Sequence, residues 1–154
     1  MQSNQGVVTT SPQQTMQAGE TLARDLKGQE TGDRRQARTI CLYGELGSGK
    51  TTFAQGFAKG LGIASRLLSP TFIIVRRYQI PRTSHLLYHL DLYRIGGEKD
   101  LQGLGIAEIL ADGDSYVLIE WAEKLEGQVP KRRIEVWFKT LEDGRHTWAL
   151  FKKP

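Results

Sequence analysis

The chain reads as an α/β protein with a central, mainly parallel sheet, flanking helices and a C-terminal β-hairpin, and three observations predict this. Apolar Thr39 to Tyr43 runs directly into Gly44-Glu45-Leu46-Gly47-Ser48-Gly49-Lys50-Thr51, a complete G-x-x-x-x-G-K-T phosphate loop, and a helical pattern follows it. Tyr116-Val117-Leu118-Ile119 is a short, continuous apolar run closed by Glu120, as expected of a buried parallel strand that delivers an acid at its carboxyl end. Residues 133 to 140 and 147 to 151 alternate in polarity around Glu142-Asp143-Gly144, the signature of an antiparallel hairpin. Together they specify a single domain of the phosphate-loop NTPase type.

Residues 1 to 10 are polar and read as a flexible tail, so the domain is expected to span residues 11 to 154. Ser11-Pro12 opens a helix as N-cap and first-turn proline, carried by Met16, Ala18, Leu22, Ala23 and Leu26. Polar residues 27 to 38 form a link with no role assigned. The first strand spans about 39 to 43 and the next helix 50 to 61, ended by Gly60 and Gly62. Leu68-Ser69-Pro70-Thr71 breaks the chain before a β-rich run, residues 72 to 75, extending to Tyr78 and stopped by Pro81. A strand over about 85 to 94 puts His89, Asp91 and Tyr93 on one face and Tyr88, Leu90 and Leu92 on the other. One helix is expected from Asp100 to Leu110, with Leu101, Leu104 and Ile109 as its apolar stripe.

Composition bounds the function. With 39% hydrophobic and 25% charged residues the chain resembles an ordinary globular protein, and no apolar stretch approaches the ~18 residues of a membrane span. The amino-terminal segment lacks the basic start and apolar core of a secretory signal, so a cytoplasmic location is the expectation. The single cysteine, Cys41, has no partner for an intramolecular disulfide and reads as core filler. Net charge is +4, with basic clusters at Arg34-Arg35, Arg76-Arg77, Lys131-Arg132-Arg133 and Lys152-Lys153. They read as a solvated basic face, with an RNA or acidic-protein surface as the alternative, and no aromatic stacking motif interleaves with them along the chain.

The loop dictates what must surround it. Its glycines allow backbone N–H groups to converge on phosphates, Lys50 reaches phosphate oxygens, and Thr51 offers a hydroxyl to Mg²⁺. Mg²⁺ also requires a carboxylate. Glu120 is assigned to the metal, directly or through water, and Asp91 is the candidate to orient an attacking water or support the metal shell. Trp121 is a candidate wall for the nucleotide. Ser69-Pro70-Thr71 has the placement of a switch loop. His89 reads as a structural hydrogen-bonding histidine, because three histidines and no nearby cysteine make a poor zinc site.

Four motifs in order, Gly44-x-x-Gly47-x-Gly49-Lys50-Thr51-Thr52, Ser69-Pro70-Thr71-Phe72, His89-x-Asp91-x-Tyr93-Arg94 and Ile119-Glu120-Trp121, resemble the TsaE family, also called YjeE. The resemblance runs from about Ser11 to the hairpin. It implies a small bacterial P-loop ATPase required for threonylcarbamoyladenosine formation in tRNAs reading ANN codons. It further implies ATP-dependent action on a complex of the TsaB and TsaD proteins, with hydrolysis resetting that complex between turnovers and tRNA reached indirectly through it. By motif, Leu46, Gly47, Ser48, Gly49, Lys50, Thr51, Thr52 and Trp121 would contact ATP, Thr51 and Glu120 would bind Mg²⁺, and Lys50, Asp91 and Glu120 would serve hydrolysis. The segment from Ser11 to Thr15 would approach the adenine. The loop departs from the commoner family form at Glu45 and Ser48, and neither change removes a phosphate contact.

The residues alone support ATP-dependent phosphoryl chemistry, and the tRNA pathway comes only from the resemblance. A small-molecule kinase is the alternative, although no long lid insertion is evident. A GTPase is disfavoured, because no Asn-Lys-x-Asp motif occurs to read guanine. No clear arginine finger is present, so hydrolysis by the isolated protein is expected to be slow, with Arg94 or a partner as the source.

Overall fold

The carboxyl ends of the parallel strands meet at one edge of a single sheet. The computed structural model describes residues 6–29, 36–67 and 73–154. Its sheet contains β1 (Val7–Thr9), β2 (Arg38–Tyr43), β3 (Val75–Gln79), β4 (Leu86–Asp91), β5 (Ser115–Glu120), β6 (Arg133–Thr140) and β7 (His146–Lys153). Their spatial order is β1-β7-β6-β2-β5-β4-β3. The four inner strands β6, β2, β5 and β4 run parallel, and antiparallel strands finish both edges. β5 is buried at all six positions, as a strand covered on both faces must be.

Two helices cover one face. α1 (Pro12–Lys27) starts at Ser11, whose side chain accepts from the Gln14 N–H at 3.3 Å. It buries Thr15, Gly19, Leu22, Ala23 and Leu26, while Met16 and Ala18, expected in its stripe, are half-buried. α2 (Lys50–Gly60) packs against α1 on this face and buries Phe53 and Phe57 completely, each side chain contributing roughly 1.5–3 kcal/mol. Glycines set how closely the helices approach: a Cβ on Gly56 would stand 1.8 Å from the Met16 carbonyl oxygen, and one on Gly19 would stand 2.1 Å from that of Phe53. The opposite face is covered by α3 (Glu98–Leu101), α4 (Ile106–Leu110) and a 3₁₀ segment (Ala122–Gln128), which close a second core around Cys41, Leu90, Val117 and Ile119.

Three expectations change. The tail foreseen over residues 1 to 10 is, at Val7–Thr9, a strand paired antiparallel with Trp148, Thr147 and His146; three residues are too few to show a period, and the partner is distant in the chain. The single helix foreseen from Asp100 to Leu110 is two short ones, because Gly103 and Gly105 take left-handed conformations (φ 81° and 71°) between them. The run foreseen from residue 72 enters the sheet only at Val75. Ser69-Pro70-Thr71, Phe72 and Arg34-Arg35 lie outside the described residues.

Candidate functional site

Strand register assembles the site. β2 and β5 pair with Leu42 opposite Glu120, and β4 and β5 pair with Asp91 opposite the same Glu120. The phosphate loop therefore leaves β2 beside two carboxylates, at the strand ends where open α/β sheets bind ligands. Gly44, Gly47 and Gly49 all take positive φ (149°, 76° and 110°), which curls the loop toward the start of α2. A Cβ on Gly44 would also strike the Phe138 backbone at 2.8 Å.

The polar side chains of the site are tied to one another. Thr51 Oγ1 donates to Glu120 Oε1 at 2.7 Å. The other Glu120 oxygen, Oε2, lies 2.6 Å from His89 Nε2, and both side chains are almost wholly buried. His89 thus orients the carboxylate, while its Nδ1 has no hydrogen-bond partner among the described residues. Asp91 Oδ1 accepts the Tyr93 N–H at 3.0 Å and is buried at the mouth of the site. The Lys50 ammonium donates to the carbonyls of Gly44 and Glu45 in its own loop. Burial lowers its pKa, opposed by the nearby carboxylates Glu120, Glu123, Asp91 and Glu45. Trp121, directly after Glu120, sits in the left-handed region (φ 59°), uncommon for a bulky residue. That turn places its indole 4.3 Å from the Lys50 ammonium and against Tyr93.

Around these groups lies a cleft of about 760 Å³ with three walls. Leu46, Gly47, Gly49, Lys50, Thr51 and Thr52 line the first, together with Asp91, Glu120 and Trp121. Ser48 is buried beneath the loop instead, with its hydroxyl 3.4 Å from Lys50 Nζ. The second wall is the β1–α1 junction, including Thr9, Thr10, Ser11 and Thr15. The third is the β6–β7 turn, Asp143 to His146. Thr15 Oγ1 donates to Thr9 Oγ1 at 3.1 Å, and Thr9 Oγ1 donates to the His146 carbonyl at 3.4 Å, tying the second wall to the third. Arg145 donates its backbone N–H and its guanidinium to Asp143, which hold that carboxyl below its usual pKa.

Sequence reasoning treated the Asp143-Gly144 turn as a connection only, and it missed Thr9 and Thr10. The available signal was topological: because β6 runs parallel to β2, its carboxyl end and the turn after it must lie at the phosphate-loop edge. Among the described residues Arg94, the candidate finger, does not line the cleft, and Arg145 does.

The donor set suits Mg²⁺ and a nucleotide polyphosphate. Thr51 and Glu120 provide hard oxygens, matching a cation usually bound by one or two protein oxygens together with phosphates. The Lys50 partners are neutral carbonyls, so an anionic phosphate oxygen is a stronger acceptor for the same ammonium.

Comparison with known proteins agrees with this geometry. The family model described as "Threonylcarbamoyl adenosine biosynthesis protein TsaE" matches residues 9–147. The tRNA threonylcarbamoyladenosine biosynthesis protein TsaE of Treponema pallidum is 32% identical over 137 residues, covering 89% of this chain and 93% of that protein. The Haemophilus influenzae protein of the same name is 37% identical over 111 residues, 72% of this chain and 68% of its own length. For the Bacillus subtilis TsaE the identity is 41% over 107 residues, 68% of this chain but 63% of that protein, under two thirds of its length. The crystal structure of Bacillus subtilis YdiB aligns with a TM-score of 0.76 and 28% identity, covering 100% of this chain and 88% of that one.

Proposed function

The chain belongs to the TsaE family, and from that premise we propose that it is a Mg²⁺-dependent ATPase of tRNA threonylcarbamoyladenosine formation, acting on a TsaB–TsaD complex. The observation that carries the reading is the Thr51–Glu120 hydrogen bond of 2.7 Å beside Lys50 and Asp91, at one end of three adjacent parallel strands. Leu46 to Thr52 would hold the phosphates of ATP, with Lys50 as the cation among them. Thr51 and Glu120 would hold Mg²⁺, which when bound neutralises phosphate charge and polarises the transferring group.

Asp91 lies beside Glu120 in the sheet and is suited to orient water through its carboxylate. His89 keeps Glu120 fixed in place. Trp121 restricts the ammonium of Lys50 and walls the cleft. Hydrolysis is slow for the protein alone and faster with partners, because the sequence offers no clear arginine finger. The site of action is the cytoplasm, and tRNA is met through the complex.

The test is ATP hydrolysis by the purified protein, alone and with the TsaB and TsaD proteins of the same cell. A severalfold stimulation by the pair is expected. Absence of stimulation, together with absence of ATP-dependent association, would overturn the partner assignment and leave an ATPase with another client.

A further inference from the structure

The β6–β7 wing has two unlike faces. On one, Ile134, Val136, Phe138, Trp148 and Leu150 join the core beneath α1 and α2. Alternation sends Arg133, Glu135, Trp137 and Lys139 of β6, and Thr147, Ala149, Phe151 and Lys153 of β7, to the other. None of these residues belongs to either buried core among the described residues. Trp137 is 47% exposed.

This face is organised. Trp137 stacks on Tyr43 of the adjoining strand, with ring centroids 4.3 Å apart and planes within 14°. Glu135 is buried and accepts from both neighbours on its strand, from Trp137 Nε1 at 3.1 Å and from Arg133 Nε at 2.7 Å. One carboxylate therefore fixes an indole and a guanidinium on the same surface. Arg133 lies directly across from Lys153, and the Lys153 ammonium sits 5.9 Å from the Phe151 ring centre. The clusters Lys131-Arg132-Arg133 and Lys152-Lys153, separate in the chain, are cross-strand neighbours. Aromatics do interleave with them; they come from neighbouring strands and from alternate positions, so reading along the chain missed them.

We propose that this face is a platform for single-stranded RNA, with Trp137 as the base-stacking surface and Arg133, Lys139 and Lys153 as phosphate contacts. An immobilised aromatic plane on an open sheet, flanked by cations, is how sheet-based modules hold unpaired bases and their backbone. From Arg133 to Lys139 the strand extends roughly 20 Å, six steps of about 3.3 Å, enough for several nucleotides. An acidic protein surface would match the cations but has no use for an indole held on one face by Tyr43 and still 47% exposed. The proposal is independent of the nucleotide reading, since no residue named in it lines the cleft.

The test is fluorescence anisotropy of a labelled, mixed-sequence RNA of about twelve nucleotides, titrated with the full chain between roughly 50 and 200 mM salt. Trp137→Ala should weaken binding by about tenfold, the loss of one base–aromatic stack, and Trp137→Phe should restore most of it. Lys139→Gln with Lys153→Gln should flatten the salt slope by about 1.4, two phosphate contacts at ~0.7 each, while leaving binding of a fluorescent ATP analogue unchanged. Cooperative thermal melting checks that each variant is folded. Undetectable RNA binding at low salt would overturn the proposal. So would poly-glutamate binding as tightly as RNA, or wild-type RNA affinity in folded Trp137→Ala.

Discussion

At the carboxyl ends of β2, β4 and β5 the polar residues are few, buried and tied to one another, whereas on the open face of β6–β7 they are arrayed across strands, from buried Glu135 through half-buried Arg133 and Lys153 to exposed Lys139. Glu120 is 2% exposed and has both oxygens engaged, by Thr51 and His89; Trp137, at the other place, is 47% exposed above a single organising carboxylate. Burial makes each group in the cleft matter individually, because in a low-dielectric site an unpaired polar atom costs more than it does in water. On the wing, energy is shared among several screened contacts. Single substitutions should therefore be severe in the first region and graded in the second.

The largest effect is expected from Lys50→Met, which should reduce nucleotide affinity or turnover by at least ~100-fold, as for other preorganised donors to developing phosphate charge. Binding of a fluorescent ATP analogue measures it. The same variant should melt no lower than wild type. Burial depresses the Lys50 pKa, so the unfolded chain holds the proton more tightly, and the cost of the buried ammonium is present in full below the folded pKa and relieved as pH rises toward the ordinary lysine value of 10.5. At neutral pH, removing that ammonium removes a cost. A large fall in melting temperature would show that the loop depends on Lys50 for its shape.

Next in size is Gly56→Ala. The added methyl meets the Met16 carbonyl, so α1 and α2 must separate, at an expected ~1–3 kcal/mol in urea unfolding. Because α1 carries Ser11 and Thr15 into the cleft wall, nucleotide affinity should fall with it. Stability lost without any change in affinity would separate the wall from the site. Trp137→Ala should cost about 1–3 kcal/mol, one aromatic pair together with the hydrogen bond the indole gives to buried Glu135, and a larger loss would show that the wing is integral to the core. The smallest effect concerns Cys41, wholly buried behind the phosphate loop, where burial pushes the thiol up to about 12. It should resist alkylation by iodoacetamide at pH 8 in the folded protein and react once unfolded; rapid labelling under native conditions would reveal opening of β2.

The same contrast explains what the sequence disclosed. The phosphate loop, the strand before it and Glu120 at the end of an apolar run are local patterns, and the structure places each where that pattern puts it. Asp91 was legible as a strand-end acid, but its position beside Glu120 depends on pairing between β4 and β5, which local sequence does not encode. Thr9, Thr10 and the Asp143–His146 turn become cleft walls only because β7 lies between β1 and β6. The break between α3 and α4 was marked by Gly103 and Gly105, yet a continuous apolar spacing outweighed them. The partnership of Trp137 with Tyr43 joins residues that no periodicity connects.

The most direct test of the central claim, that Thr51 and Glu120 form the metal side of a nucleotide site, is a Mg²⁺ titration of ATP binding in wild type and Glu120→Gln. Mg²⁺ should tighten ATP binding by wild type, and the variant should lose that dependence while still binding nucleotide through Lys50 and the loop. Superimposable Mg²⁺ titrations for the two proteins would contradict the assignment.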